Sequence, residues 1–132
     1  MPLKSTLAYI AGFFDGEGSV TVTSAGYLEV RVANRVLEPL ALIQETFGGS
    51  IQIKAGGVAQ IVLGPKAGRI MLEAILPYLR VKRDVATVGI ALNLLPYGTA
   101  ITDTSHLELR VQIYKLNRRT SPIAQGLAKL IS

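Results

Sequence analysis

The spacing of hydrophobic and polar residues changes several times along the chain, and each change predicts a new element. Residues 6–14 are apolar on nearly every side, which favours a helix covered all round, with Ser5 or Thr6 as its N-cap. From Ser19 the period becomes two, and apolar residues alternate with polar ones as far as Val32, interrupted at residues 24–26. This alternation predicts a β-hairpin with one apolar and one polar face.

The rest of the chain alternates between helix and hairpin in the same way. Residues 38–47 are amphipathic and predict a helix that stops at Gly48 and Gly49. A second hairpin is predicted from residues 50–54 and about 58–63, but its return strand does not alternate cleanly and leaves open which side Gln60 faces. Further helices are predicted at residues 66–76, from 82 or 83 to 95, at residues 104–117 with Thr102 or Asp103 as cap, and from Ser121 and Pro122 onward.

The order α-β-β-α-β-β-α, followed by more helices, contains no internal repeat or linker and predicts one α+β domain over residues 1–132. Hydrophobic residues make up 49% of the chain, which argues against disorder. The longest uncharged run, residues 85–102, contains Asn93, Pro96 and Gly98 and fits a core helix and a loop better than a membrane span. Because the N-terminus also lacks a signal-peptide pattern, we expect a soluble, intracellular protein without a membrane partner.

The composition removes most kinds of active site. The chain has no cysteine, which excludes a disulfide scaffold, a thiol nucleophile and a thiolate metal site. His106 is the only histidine, so imidazole metal sites and catalytic triads are nearly excluded, and we expect His106 to be structural or exposed. Chemistry must therefore come from carboxylates, amines, amides and hydroxyls. The net charge of +5 fits either a polyanionic partner or an ordinary basic protein.

The exit of the first helix carries the most specific pattern in the chain. Residues 10–18 read IAGFFDGEG, and this order of small residues, apolar residues, two acids and glycines resembles the signature of the LAGLIDADG homing endonucleases. Residues 32–35 (VANR) resemble the strand end that carries a polar active-site residue in that family, and residues 76–82 (LPYLRVK) resemble the segment with the basic one. Together the three stretches extend the resemblance over most of residues 6–95.

The resemblance implies a saddle-shaped antiparallel sheet and a site-specific enzyme that cuts both strands of a long, partly palindromic DNA duplex. The cuts would cross the minor groove and leave short 3′ overhangs. One copy of the motif implies a homodimer, in which the small residues Ala8, Ala11 and Gly12 let two copies of the first helix approach. Asp15 would cap the partner helix. Mg²⁺ would be the cofactor, Mn²⁺ a possible substitute, and Ca²⁺ would bind without supporting cleavage.

The same resemblance assigns the active-site residues. Glu17, the second acid of the motif, would bind the metal with the carbonyl of Gly16, which suits Mg²⁺ because this ion takes one or two carboxylates together with phosphate and water oxygens. Lys82 would position or activate the attacking water, with Arg80 or Arg83 as neighbours that could take its place. Asn34 stands where the family often has glutamine, which shortens its reach. The simpler interpretations are solvated charges for Glu17 and Lys82, and a cap of the following turn for Asn34.

The polar faces of the two hairpins would lie in the major groove, where Arg31 suits guanine and Gln52 suits adenine. The DNA-binding candidates on the sheet and at its ends are Ser19, Thr21, Thr23, Tyr27, Glu29, Arg31, Arg35, Ser50, Gln52, Lys54 and Gln60. The basic candidates for phosphate contacts are Lys66, Arg69, Arg80, Arg83, Lys115, Arg118 and Arg119.

Two other classes of function fit the same pattern. One is a nucleic-acid-binding protein that does not cut, such as an intron-splicing maturase or a DNA-binding regulator on the same fold. The other is a structural α+β dimerisation module whose sheet binds protein. The presence of Glu17 and Lys82 favours the nuclease, and a steep salt dependence of duplex binding would separate both nucleic-acid functions from the protein-binding module.

Overall fold

The computed structural model of the protein describes residues 2–120, with the backbone alone at residues 119 and 120. The described elements are α1 (Lys4–Glu17), β1 (Gly18–Val22), β2 (Leu28–Asn34), α2 (Leu37–Phe47), β3 (Ser50–Ile53), β4 (Ala59–Leu63), α3 (Pro65–Ile75), a 3₁₀ turn (Leu76–Tyr78), α4 (Arg83–Asn93) and α5 (Thr104–Thr120). The predicted α+β class and the α-β-β-α-β-β-α order with further helices are therefore confirmed. The short helix predicted from Ser121 lies outside the described residues.

The four strands form one antiparallel sheet in the order β1-β2-β4-β3. Its register pairs Val20 with Val30, Val30 with Leu63, and Val32 with Ile61. These apolar side chains share one face of the sheet and are fully buried. The opposite face carries the alternating polar residues, so the two-residue period of the sequence identified the faces of the first hairpin correctly.

The helices cover the apolar face of the sheet and complete one hydrophobic core. Ile10 and Phe14 of α1 pack there with Leu40 and Ile43 of α2 and with Leu72 of α3. The helical layer approaches the sheet most closely at two glycines. A Cβ at position 68 would lie 2.9 Å from Val30, and one at position 89 would lie 2.8 Å from Val20.

The first helix is longer than predicted at both ends. It starts at Lys4 after Leu3, without a side-chain cap, so the prediction of Ser5 or Thr6 as N-cap is wrong. It also continues through the acidic pair to Glu17. Gly18 is extended, with φ of −88°, and serves close packing rather than a turn, because a Cβ there would lie 2.2 Å from the ring of Phe14.

The last described helix begins as predicted. Asp103 accepts hydrogen bonds from the backbone N–H of Ser105 at 2.9 Å and from its hydroxyl at 2.6 Å. These two bonds hold the pKa of the Asp103 carboxyl below its ordinary value. No helix within residues 2–120 is both long enough and apolar enough to cross a membrane.

Candidate active site and nucleic-acid interface

The C-terminal end of α1 presents a free acid. Glu17 is the last residue of the helix and is exposed, and its carboxylate has no hydrogen bond or ion pair within the described chain. Gly16 is exposed beside it, and a Cβ at position 16 would meet no atom within 4 Å. Another molecule can therefore approach the backbone carbonyls and the carboxylate at this helix end.

The neighbouring acid, Asp15, binds backbone groups of its own chain. The carboxylate of Asp15 accepts the backbone N–H groups of Arg80 at 2.9 Å, Val81 at 3.2 Å and Lys82 at 3.0 Å. Both carboxylate oxygens are used, so Asp15 ties the turn before α4 to the end of α1. This contact corrects the expectation that Asp15 caps a partner's helix, because the side chain binds its own chain.

The turn held by Asp15 brings Lys82 back onto α1. Its ammonium donates to the carbonyl of Phe14 at 3.3 Å, which also accepts the backbone N–H of Gly18, and to the carbonyl of Asp15 at 2.9 Å. Burial lowers the pKa of the half-buried Lys82 amine, and the carboxylates of Asp15 and Glu17 oppose that change. Lys82 and Glu17, which lie 65 positions apart in the sequence, thus meet at one helix end.

The proximity of these two charges leads to a measurable expectation. Replacing Glu17 by Gln removes one negative charge that raises the pKa of Lys82, so the pKa of Lys82 should be lower in the variant than in the parent protein. NMR titration of the lysine side-chain carbons, assigned with Lys82→Arg, measures this value. Glu38→Gln, an exposed acid on α2, is the control and should leave it unchanged. Equal pKa values in the parent and in Glu17→Gln would mean that the two charges do not interact.

Asn34 ends β2 at the end of the sheet where Glu17 lies. The register pairs Val32 with Gly18, so Asn34 extends two residues beyond the start of β1, toward the end of α1. Its carboxamide oxygen accepts the backbone N–H of Val36 at 2.8 Å. This bond is the one that the turn-capping interpretation requires, and it fixes the side chain just before α2.

One face of the sheet is open to a large partner. The residues on this face are Ser19, Thr21, Glu29, Arg31, Ala33, Ser50, Gln52, Gln60 and Val62. They include every strand position that was expected in the groove, and the pairing of Gln60 with Gln52 and Ala33 shows which side Gln60 faces. Gln60 is only 6% exposed, so it is the least accessible of these candidates.

The two hairpin tips lie at opposite ends of the sheet. Thr23 and Tyr27 form the first tip, where the Thr23 hydroxyl accepts the backbone N–H of Tyr27 at 3.1 Å. Lys54 lies at the second tip, at the end where Asn34 and Glu17 are found. Arg35 donates to the carbonyl of Gly56 at 2.6 Å, so it also anchors the second tip to the sheet.

The basic candidates do not form one surface. Arg80 and Arg83 are exposed next to the Asp15 turn and line, with Ala8 and Gly12, a cleft of about 670 Å³. Lys66 and Arg69 belong to α3, which packs on the apolar face of the sheet, so the structure does not bring them to the polar face. Arg69 is also occupied, because it donates to Asn93 at 2.6 Å and pairs with Glu73.

Helix α5 carries the remaining basic candidates beside the edge strand. The carboxamide of Asn117 donates to the carbonyl of Val20 at 2.8 Å, which places this helix along β1. Lys115 and Arg118 are exposed there, and the Arg118 guanidinium lies 5.8 Å from the ring of Tyr114. The side chain of Arg119 lies outside the described part of the chain.

The expected dimer surface on α1 is smaller than predicted. Ala8 and Gly12 are exposed on one side of the helix, next to Tyr9. Ala11 is fully buried in the core of its own chain and has no surface to offer a partner, which removes it from the interface. An all-apolar helix gives no indication in the sequence of which small residue faces inward.

No protein-family model matches the chain, and neither does the sequence of any curated protein. Solved structures do match. The homing endonuclease I-CvuI in complex with its target aligns with a TM-score of 0.70 and 22% identity, over 89% of this chain and 83% of I-CvuI. The archaeal intron-encoded homing endonuclease I-Vdi141I, complexed with DNA, aligns with a TM-score of 0.68 and 23% identity, over 89% of this chain and 84% of that one.

The LAGLIDADG homing endonuclease I-SmaMI, bound to cleaved DNA, aligns with a TM-score of 0.59 and 21% identity. The chain has the fold of the LAGLIDADG homing endonucleases. The match covers 85% of this chain but only 43% of I-SmaMI, so the chain spans less than half of that protein. The LAGLIDADG fold that the residue 10–18 motif predicted is therefore confirmed at the level of structure.

The donor set at the α1 end limits what one copy of this chain can bind. Within residues 2–120 no three His, Cys, Asp or Glu side chains come together as a metal-binding group. The Asp15 carboxylate is used by backbone N–H groups, which leaves Glu17 as the free hard oxygen ligand at this helix end. Such a set fits Mg²⁺ when a phosphate, water and a second carboxylate supply the other ligands.

Sequence reasoning missed three structural contacts of this fold. The Asp15 bonds to residues 80–82 join positions more than 60 residues apart, and no local pattern signals them. The Arg35 anchor joins two positions that are 21 residues apart. His106 is buried and structural, which is one of the two expected outcomes, but its partners were not predicted: it bonds to the carbonyl of Gly26 at 3.1 Å and accepts a hydrogen bond from Arg110 at 3.0 Å.

Proposed function

We propose that this protein is a homodimeric, Mg²⁺-dependent endonuclease that cuts both strands of a long, partly palindromic DNA site. One observation carries the proposal. On a LAGLIDADG fold, the exposed carboxylate of Glu17 ends α1 without an ion pair inside residues 2–120, and two carbonyls hold the ammonium of Lys82 at the same helix end. This pair lies at one end of an open polar sheet face, where a bound duplex would bring its phosphates.

In the proposed reaction, Glu17 and the carbonyl of Gly16 would hold the metal ion. Bound Mg²⁺ supplies polarisation of the attacked phosphate and stabilisation of the leaving oxygen, Mn²⁺ would replace it, and Ca²⁺ would support binding alone. Lys82 has three ammonium hydrogens, of which two point to carbonyls. The third is free to donate to a phosphate oxygen or a water.

The need for two copies follows from the ligand count. Each chain provides one free carboxylate at this site, and the I-SmaMI chain is more than twice the length of the part that this chain matches. Contact between two exposed Ala8 and Gly12 faces would bring two α1 helices together and place both Glu17 residues at the centre of the dimer. The polar sheet faces would then follow the major groove on each side, and Arg80 and Arg83 would lie nearest the phosphates.

Sedimentation tests the dimer that the proposal requires. We expect the parent protein to sediment at twice the 14.1 kDa chain mass, and Gly12→Glu to sediment as a monomer and lose duplex cleavage. Ala41→Glu, an exposed position on α2, is the matched control and should remain a cleaving dimer. A parent protein that stays monomeric on its DNA would contradict the proposal.

Salt dependence separates this proposal from a protein-binding sheet. Duplex binding that uses phosphate contacts weakens linearly in log Kd against log salt, with a slope of about one for each neutralised phosphate. We expect a slope that corresponds to several neutralised phosphates per dimer. Binding that is absent, or that does not depend on salt, would instead support the dimerisation module.

A further inference from the structure

The polar face of the sheet carries very little charge for a surface that is proposed to meet DNA. Among its nine residues only Glu29 and Arg31 are charged. An unpaired acid on such a surface would repel phosphates. Glu29 is paired, because its carboxylate accepts the Nε hydrogen of Arg31. The acid and the base therefore act as one unit on this face.

The geometry of the pair leaves the outer end of Arg31 free. The two residues lie two positions apart on β2 and so share a face. Glu29 takes the Nε hydrogen, and the two terminal nitrogens of Arg31, with four hydrogens, have no partner within the described residues. Arg31 is flanked on the neighbouring strands by the short side chains of Ser19 and Val62.

The exposed fractions of the two side chains indicate that Arg31 can contact a partner while Glu29 supports it. The Arg31 side chain is 44% exposed, whereas that of Glu29 is 19% exposed. The carboxylate is therefore set deeper and the guanidinium outward. Because β2 is an inner strand of the sheet, the free end of Arg31 stands near the middle of the face.

We propose that Arg31 reads a guanine in each half of the DNA site and that Glu29 is the positioning residue that orients it. A planar guanidinium whose Nε is fixed can offer its two terminal nitrogens together to the O6 and N7 acceptors of guanine, a pattern that the major groove shows only at that base. This assignment rests on the proposed function, since it requires a bound duplex. It adds to the suitability of Arg31 for guanine the end of the guanidinium that contacts the base and the role of an acid that lies outside the active site.

Base preference in a binding selection tests the assignment. The intact protein, in Ca²⁺, is incubated with a duplex library randomised over the site, and bound sequences are compared for the parent, Arg31→Lys and Glu29→Gln. We expect one symmetric guanine position at which Arg31→Lys reduces the preference by roughly 5- to 150-fold, because lysine lacks the planar fork. Glu29→Gln should weaken the same position and leave the others unchanged.

The protein contains its own matched control. Arg69 and Glu73 form the other Arg–Glu pair of the described chain, on α3, whose packing face lies against the opposite side of the sheet. Arg69→Lys and Glu73→Gln should leave every base preference unchanged. Thermal unfolding of all four variants shows that they are folded, and base preference is a readout that a merely structural pair would not alter.

The possible failures can be distinguished. A parent protein that binds no duplex contradicts the proposed function itself. The parent protein could instead select a site whose base preferences are unchanged in both Glu29→Gln and Arg31→Lys. That result overturns the guanine assignment and leaves the endonuclease proposal standing. A further variant, Arg31→Ala, could weaken duplex binding equally on all sequences and reduce the salt slope by about one per half-site. Arg31 would then be a phosphate contact, and the guanine assignment would be wrong.

Discussion

Replacing Glu17 by Gln is expected to reduce the cleavage rate by about 10³-fold or more, while DNA binding and folding stay close to those of the parent protein. Metal-assisted stabilisation of charge in the transition state is worth several kcal/mol, and a loss of about 4 kcal/mol corresponds to that factor. Stability should change little, since Glu17 is exposed and its side chain makes no hydrogen bond within residues 2–120. Single-turnover cleavage of a selected duplex in Mg²⁺ measures the rate.

A neighbouring helix offers the control for this change. Glu45 is an exposed acid on α2, and Glu45→Gln makes the same chemical substitution away from the α1 end. It should cleave at the parental rate. If Glu17→Gln cuts as fast as Glu45→Gln, Glu17 does not hold the metal, and the assignment of this helix end as the active site is wrong.

Replacing Asp15 by Ala should damage both stability and activity. Three backbone N–H groups, of Arg80, Val81 and Lys82, lose a charged acceptor. Hydrogen bonds to charged groups contribute about 1.5–3 kcal/mol each, but these groups are partly exposed and water can replace the lost acceptor, so we expect a total loss of about 2–3 kcal/mol. The freed turn would also release Lys82 from the carbonyls of α1.

Urea unfolding and single-turnover cleavage together test this double effect. Asp103→Ala is the matched control because it removes another capping aspartate, at the start of α5. It should cost less stability than Asp15→Ala and leave the cleavage rate unchanged. If Asp15→Ala is destabilised as expected but still cleaves at the parental rate, the position of Lys82 does not depend on Asp15.

The spacing of apolar residues predicted the fold because it switches between the helical and the strand period near almost every element boundary of the structure. The side that Gln60 faces stayed open for a physical reason. β4 lies between β2 and β3, and its positions 59, 60, 61 and 63 are all buried. Val62 is apolar although it lies on the polar face, so residues 61–63 form a continuous apolar run and the alternation is lost.

The end of α1 shows where local reasoning stops. Two glycines and two acids predicted a helix exit after residue 14, yet the helix continues to Glu17. The carbonyls of Phe14 and Asp15 accept hydrogen bonds from Lys82, a partner 67 or 68 residues away that helps to hold the last turn. The motif therefore marked the site, and only the tertiary structure gave its geometry.

Basic residues were the least predictable part of the candidate interface. The net charge indicates that a partner would be anionic, but it does not show where on the surface the basic residues lie. Arg69 forms a pair with Glu73 on the helical side of the molecule, whereas Arg31, in a similar pair, stands on the polar sheet face. The difference depends on which side of the sheet each element packs, and that is a property of the whole fold.

The central claim is that two copies of this chain cut DNA with their Glu17 carboxylates, and sequencing of DNA ends tests it most directly. The parent protein and Glu17→Gln are each incubated in Mg²⁺ with a randomised duplex library, and all new ends are sequenced. We predict paired breaks at a defined, partly palindromic sequence, offset by a short 3′ overhang and absent with Glu17→Gln. Selective binding without breaks above the level of the variant would contradict the account and identify a non-cleaving DNA-binding protein.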